Sequence, residues 1–327
     1  MRYLPFTILF AISMLSCQNQ DSGSKQQTAD ASAQADAQPV VFKFEDEPAG
    51  LSKYWYQGKA EISRYELQQN RYQATHPGEA VAIFVTEDFL TDKQVKNDNY
   101  TNPNSTGVLK TNLIRKFPTG LYDYSVMTSV FTPTDTEQYP QTLKVTTTAQ
   151  DWCGHAFMQL NFREEQYKMQ LNSYFENEAD QEKSINYAIL EDELFNRIRM
   201  NPDGLPTGTV NVVPSTMVIR LKHLPFKAYE AEASLADYDG DTFEGEQLQV
   251  YTLSFPALDR RLQIVFQSES PYIIEGWKDT YPSAFDRQPR TTVAKRTSTI
   301  LSPYWKKNSP SDRAMRQRLD METFPGE

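Results

Sequence analysis

Tyr167-Lys168-Met169-Gln170-Leu171-Asn172-Ser173 sets an apolar or small side chain at every second position, with a polar one between. Successive side chains of a strand point to opposite faces, so this run buries one face and wets the other. The same period of two recurs where Leu143, Val145 and Thr147 alternate with Lys144, Thr146 and Thr148, and where Leu262, Ile264 and Phe266 alternate with Arg261, Gln263 and Val265. Ala80-Val81-Ala82-Ile83-Phe84-Val85 reads as a buried or half-buried strand. Such patterns favour antiparallel pairing, and the wealth of Tyr, Phe, Thr and Val agrees. Gln69-Asn70-Arg71, His76-Pro77-Gly78-Glu79, Arg163-Glu164-Glu165 and Asp239-Gly240-Asp241 read as hairpin turns between neighbouring strands. About a dozen strands result. No repeat of roughly 20–50 residues is visible, which argues against solenoids and propellers.

Two segments depart from the alternation. Ser184 to Met200 places Ile185, Ile189 or Leu190, Leu194 and Ile198 at helical spacing, with Ser184 as a cap, Glu193 four residues before Arg197, and Asn201-Pro202 as a stop. Ser309-Pro310-Ser311-Asp312 has the form of a helix start. The expected fold is mainly β, with α+β as its variant: a large antiparallel sheet, curved into a half-barrel or sandwich-like, carrying one or two packed helices at about 184–200 and 311–319. The polar stretches from Thr91 to Pro103 and from Asn201 to Gly208 read as mobile surface loops.

The chain has 327 residues, a net charge of -10 and 12% aromatic residues, including 18 Phe and 18 Tyr. That is too aromatic for a disordered chain, and its acidity argues against general nucleic-acid binding. A mean hydropathy of -0.62 excludes a multi-span membrane protein. Residues 1–16 carry one Arg and then an apolar run too short to span a bilayer, which fits a signal peptide. Met14-Leu15-Ser16-Cys17 has the form of a loose lipobox, which makes Cys17 the lipidation site after cleavage, the alternatives being an uncleaved anchor or a non-lipidated signal. Residues 18–38 hold no aromatic and no branched aliphatic side chain, so residues 17–39 read as a lipidated Cys and a flexible tether spanning about 25 Å. Acyl chains on Cys17 would attach the chain to a membrane stably. The expected address is a bacterial cell envelope, with Gln18-Asn19 favouring the outer membrane, and residues 40–327 form a single β-rich domain.

The strings MTSVFTP (127–133 with its flank), QDWCGHAFMQLN, LEDELFNRIR and SPYWKKNSPSDRAMRQRL resemble an uncharacterised lipoprotein family of Bacteroidota. Some of its members carry the label "septum formation inhibitor Maf". True Maf proteins are cytosolic nucleotide pyrophosphatases with an N-terminal phosphate-binding Ser/Arg signature on an α/β fold, and nothing of that kind occurs in this sequence. A lipoprotein with an antiparallel meander and an inserted helix also resembles, in architecture alone, the half-barrel lipoprotein carriers such as LolA. That resemblance implies an apolar concave face able to hold acyl chains.

Three constellations are candidates for chemistry. In Asp151-Trp152-Cys153-Gly154-His155, Cys153 has no partner for a disulfide once Cys17 is acylated, and His155 could stabilise its thiolate as a nucleophile. The plainer reading is a small buried Cys153 with a hydrogen-bonded His155. Asp237, Asp239, Asp241, Glu244 and Glu246 could supply oxygen ligands to Ca²⁺, or form a solvated acidic hairpin. Nine basic residues between Asp286 and Arg318, among them Arg287, Arg290, Lys295, Arg296, Lys306 and Lys307, could rest with Tyr304 and Trp305 on a membrane surface, or pair with acidic loops. His76, His155 and His223 are far apart, and Glu191-Asp192-Glu193 reads as a solvated helix face. No nucleophile elbow, P-loop, H-E-x-x-H or paired C-x-x-C is present, and no cofactor is implied. The favoured function is binding of a partner protein or an amphipathic, lipid-like ligand on a curved sheet. The alternative is an exported thiol-dependent hydrolase or transferase using Cys153 and His155.

Overall fold

The alternating runs all enter one sheet. In a computed structural model, residues 51–321 are described, and the expected signal peptide, Cys17 and tether lie outside them. No helix among the described residues is long and apolar enough to cross a membrane. The strands are β1 Ala60–Arg71, β2 Ala74–Leu90, β3 Ser105–Thr119, β4 Tyr122–Pro133, β5 Lys144–Asp151, β6 Gly154–Arg163, β7 Gln166–Ser173 and β8 Gln181–Asn186. They continue with β9 Ile189–Leu190, β10 Gly208–Val213, β11 Tyr229–Asp237, β12 Leu248–Phe255, β13 Arg260–Gln267, β14 Ile274–Pro282 and β15 Pro289–Ser302. The spatial order is β8-β7-β6-β5-β4-β3-β2-β1-β15-β14-β13-β12-β11-β10-β9. Every pairing is antiparallel except the short β9–β10 contact. The chain thus enters at the middle of the sheet, meanders to one edge, crosses over, and meanders back until β15 pairs with β1.

That crossing determines the curvature. A flat sheet of this width would hold its edges roughly 65 Å apart at the usual strand spacing. Yet β8 and β9, the two edges, are joined by Tyr187 and Ala188 alone, which reach about 11 Å at full stretch. The sheet must therefore curl until its edges nearly meet. It stays open, because no ladder joins β8 to β9. One continuous curled sheet stands where two facing layers of a sandwich would. Its concave face closes on itself: Tyr65, Phe84, Leu109 and Val126 from one wing share a cluster with Tyr251, Leu253, Ile264 and Trp277 from the other.

Inside the curl lies the crossover. It comprises a 3-10 turn at Glu191–Glu193, helix α1 at Leu194–Met200, and helix α2 at Thr216–Lys222. The expected helix over 184–200 is thus only its second half. Ser184 does not cap it but pairs with Lys168 in the β7–β8 ladder, because an unsatisfied sheet edge outweighs apolar spacing in deciding this segment. The end is as expected: Glu193 meets Arg197 at 3.0 Å, and Asn201 and Pro202 stop the helix. Near the chain's end, Ser309 and Asp312 cap a short turn that leads into helix α3 at Ala314–Arg318.

Other expectations need correction. His76-Pro77-Gly78-Glu79 is not a turn but part of β2. Pro77 is tolerated there because the ladder to β3 begins only at Glu79, and a Cβ on Gly78 would lie 2.3 Å from the Lys116 carbonyl oxygen. The first hairpin turns at Tyr72 and Gln73 instead. The two polar loops are tied down. Gln94 is buried and donates to the Phe162 carbonyl at 2.7 Å, while buried Asn97 donates to Asp88 at 2.9 Å. Pro202 and Leu205 are buried, and the Pro206 carbonyl accepts from Tyr251 at 2.7 Å.

Leu194, Ile198, Met217 and Leu221 pack the crossover into the apolar cluster of both wings, and buried charges fix it in place. Arg199 is buried; its guanidinium binds both oxygens of Glu61 on β1, donates through Nε to the Pro271 carbonyl at 2.8 Å, and lies 4.8 Å over the rings of Trp55 and Phe84. Burial alone would raise the Glu61 pKa, but Arg199 holds it below the ordinary carboxylate range. Arg260 on β13 binds Glu191 through Nη1 and Nη2 at 2.5 and 2.7 Å and Asp279 on β14 through Nε and Nη2 at 2.7 and 3.0 Å. Asn196 donates to the Leu109 carbonyl and to Thr132 at 2.9 Å each and accepts from Thr111. Removing one member of such a pair leaves a buried charge unmatched, which costs about 3–5 kcal/mol. Arg199→Met and Glu61→Leu are each expected to lose that much in urea unfolding, whereas the double variant recovers most of it. A double variant as unstable as the sum of the two would show that the pair is not acting as a unit.

Candidate functional site

Cys153 and His155 are not brought together. Cys153 is exposed in the β5–β6 turn, His155 is exposed on β6, and among the described residues no hydrogen bond joins them. The expectation of a buried Cys153 therefore fails as well, because the two-residue turn leaves it nothing to pack beneath. Asp151 Oδ1 accepts from the backbone N–H of Cys153 at 2.6 Å and of Gly154 at 3.3 Å. Partial desolvation, and then the Asp151 charge, raise the Cys153 thiol above its ordinary value, the reverse of what a nucleophile needs.

The acidic loop is also solvated. Asp237, Asp239, Asp241, Glu244 and Glu246 are all exposed, around a small apolar knot of Tyr238 and Phe243. Among the described residues no three potential metal ligands converge. The basic block is split by the strand that carries it. Arg287 and Arg290 lie at one end of β15 and Lys306 and Lys307 beyond the other, about 45 Å apart at the usual rise. Arg290 binds Asp286, Arg296 binds Glu275, and Lys307 lies 3.6 Å from Asp312, while Lys295 is exposed in mid-strand. These residues form no single membrane-facing patch.

What the fold does gather is a cavity of about 550 Å³ at one end of the curl. Hairpin turns from both wings bring their residues to its rim. Arg71 and Tyr72 come from β1–β2, Asp151 and Cys153 from β5–β6, Asp259 from β12–β13, and Phe285 and Arg287 from β14–β15. The C-terminal end of α2 adds Arg220, Lys222 and His223. Ser215 caps the start of α2 by accepting from Val218 N–H at 3.3 Å, and His223 ends it in the left-handed region, which turns the chain out at the rim. Arg71 donates to the Leu221 carbonyl at 2.6 Å and to the Tyr124 hydroxyl at 3.2 Å, with its guanidinium 4.5 Å from the Tyr72 ring centre. Lys222 Nζ lies 4.3 Å from the Tyr281 ring centre. Burial, and then the Arg260 charge, hold this ammonium below its usual pKa. Arg220 and His223 share Glu178 at 2.7 and 2.5 Å.

The concave interior itself is filled. Beneath Lys222, Leu221 and Tyr281 a chamber of only about 50 Å³ remains, walled by Asp192, Arg115, Arg260, Asp279 and Trp277. Ligand pockets usually measure about 300–1,000 Å³, so this chamber cannot take an acyl chain, while the mouth falls inside that range. The concave face carries the apolar cluster of both wings, but the crossover fills the hollow over it and leaves no room for an acyl chain. Glu191-Asp192-Glu193, expected to be solvated, sits in that hollow, with Glu191 and Glu193 buried. Asp192 accepts from Thr216 through its backbone N–H at 2.8 Å and its hydroxyl at 2.9 Å, and burial pushes its pKa up to about 7.

Arg71, Arg220 and Lys222 escaped sequence reading because nothing local distinguishes them. The single available signal was Arg71-Tyr72 beside a hairpin turn. No model of a protein family matches the chain, and no curated protein does so either.

Two measurements probe these placements. Unfolded Asp titrates near 3.8, so between about pH 4 and pH 7 the folded chain holds a proton on Asp192 that the unfolded chain lacks. Stability from this group therefore falls as pH rises through that window. Asp192→Asn should gain on the wild type in melting temperature from pH 5 to pH 8, at roughly 2–4 °C per kcal/mol. A constant difference would mean that Asp192 is already ionised at pH 5. Separately, in a chain carrying Cys17→Ser, Cys153 should react with a thiol reagent without denaturant, more slowly at pH 7 than a free cysteine, with the rate rising as pH approaches its raised pKa. Labelling faster than free cysteine at pH 7 would point to an activated thiolate instead.

Proposed function

We propose that this protein is a bacterial envelope lipoprotein, tethered through Cys17, that binds an amphipathic ligand at the open mouth of its curled sheet. The observation that carries this reading is the pairing of a filled interior with a 550 Å³ mouth, lined by Tyr72, Phe175 and Phe285 as well as by cations. Phe285 is 64% exposed and meets Tyr72 edge-on at 5.4 Å, an aromatic lip of the kind that covers an apolar group. The signal-like residues 1–16 and the lipobox ending in Cys17 support the address, as does the resemblance to Bacteroidota lipoproteins. Among the described residues the chamber beneath the mouth measures only about 50 Å³, which favours transient binding at the rim over long-range carriage of an engulfed lipid. The separation of Cys153 from His155 gives the hydrolase alternative no geometric support.

Expressed in a bacterial host, the wild-type chain should fractionate with membranes and incorporate labelled palmitate, and Cys17→Ser should abolish both. Palmitate incorporation that survives the substitution would refute the anchor. Protein extracted from membranes and then denatured should release an amphiphile detectable by mass spectrometry. Phe285→Asp should reduce the amount retained by about tenfold or more, the value of losing one well-covered aromatic contact. Equal retention in the variant would place the ligand elsewhere.

A further inference from the structure

The mouth is positively charged on a chain whose overall charge is -10. Among the described residues, no carboxylate stands within ion-pair distance of Arg71, Lys222 or Arg287. Two carboxylates do line the cavity. Asp151 is engaged by the amides of its own turn, and Lys222 feels the Arg260 charge first, then Asp279, Arg287 and Asp259 in that order. At the rim Arg220 pairs with Glu178, which His223 shares. A second observation is positional. Arg71 binds the Leu221 carbonyl, next in the chain to Lys222, whose ammonium lies over the Tyr281 ring and feels the Arg287 charge, so the three cations share one part of the cavity wall.

We propose that the mouth is a phosphate-binding site, in which Arg71, Lys222 and Arg287 hold the phosphate of an amphipathic ligand while Tyr72 and Phe285 cover its apolar portion. This rests on the reading of the mouth as an amphiphile site and names the chemistry of the ligand's polar end. The three cations approach from different elements: the β1–β2 turn, the end of α2 and the β14–β15 turn. A tetrahedral group with three acceptor oxygens offers each cation its own acceptor, whereas a planar carboxylate is matched by a single arginine fork. Lys222 lies in the wall shared by mouth and chamber, so the bound phosphate sits at the inner end and the apolar portion at the aromatic lip.

The test uses the full chain carrying Cys17→Ser and isothermal titration with three probes: dodecyl phosphate and dodecyl maltoside below their micellar concentrations, and sodium phosphate. Dodecyl phosphate should bind at least tenfold tighter than dodecyl maltoside. Lys222→Gln and Arg287→Gln should each weaken dodecyl phosphate by about tenfold, the value of one charge-assisted hydrogen bond, while leaving dodecyl maltoside unchanged. Neither side chain has a hydrogen bond within the described structure that its loss would break, so unchanged melting temperatures serve as the folding control. Equal affinity for the two amphiphiles would overturn the phosphate inference and leave the mouth reading standing. Failure of both amphiphiles to bind would overturn the two together. Sodium phosphate binding as tightly as dodecyl phosphate would keep the cation triad but identify free phosphate as the ligand, and so remove the amphiphile.

Discussion

The bidentate grip of Arg199 on Glu61 and the bridge from Arg260 to Glu191 and Asp279 fix the rest of the structure. A sheet this wide has a hollow on one side, and the chain fills it with its own crossover. The contacts that seat the crossover are ionic and directional, so they fix its depth and rotation where apolar packing alone would allow sliding. They reach both wings: Glu61 lies on β1 and Asp279 on β14, while Asn196 engages β3 and β4. A misplacement of the crossover by one residue would part Arg199 from Glu61 and Glu191 from Arg260, leaving three buried charges without their partners. Few arrangements satisfy that condition, and this restricts the curl to one curvature.

Much of this was legible. The period-two runs at 144–148, 167–173 and 262–266 lie in strands, and Val145, Thr147, Tyr167, Met169, Leu171, Leu262, Ile264 and Phe266 are buried as expected. Val265, expected on the wet face, is buried too, packed with Phe243 and Leu248 where the β13–β14 register shifts. The turns at Glu164-Glu165 and around Gly240 were also readable, because two consecutive polar residues between alternating runs leave little else to form. The end of α1 and the start of the last helical turn followed from Asn201-Pro202 and from Ser309-Asp312.

The rest was not legible, for reasons that can be located. Glu191-Asp192-Glu193 read as solvated because charged residues are buried only with partners, and its partner Arg260 is far along the chain. A local sign did exist. Glu61, Arg115 and Asp279 occupy the same strand faces as Tyr65, Phe117 and Trp277, and a charge on an apolar face requires a counter-charge. Segment 184–190 failed for a different reason: its apolar spacing suits a helix, but its backbone is claimed by β7 and β10. The mouth was hidden because it is a property of the topology. Five strand-to-strand connections and one helix end supply it, gathered from positions 70 to 287.

The pairing of β1 with β15 joins residues more than two hundred positions apart at the centre of the sheet. Contacts of such separation form late and slowly, since the intervening chain must first be gathered. β1 finds β2 through a tight hairpin, but its other edge has no partner until β15, the last strand, has been made. Each wing can ripple with local hairpins, yet the seam that unites them waits for the whole length. The two hairpin ladders thus become one sheet only when the last strand docks against the first, so the unity of the fold rests on a single seam between its two ends.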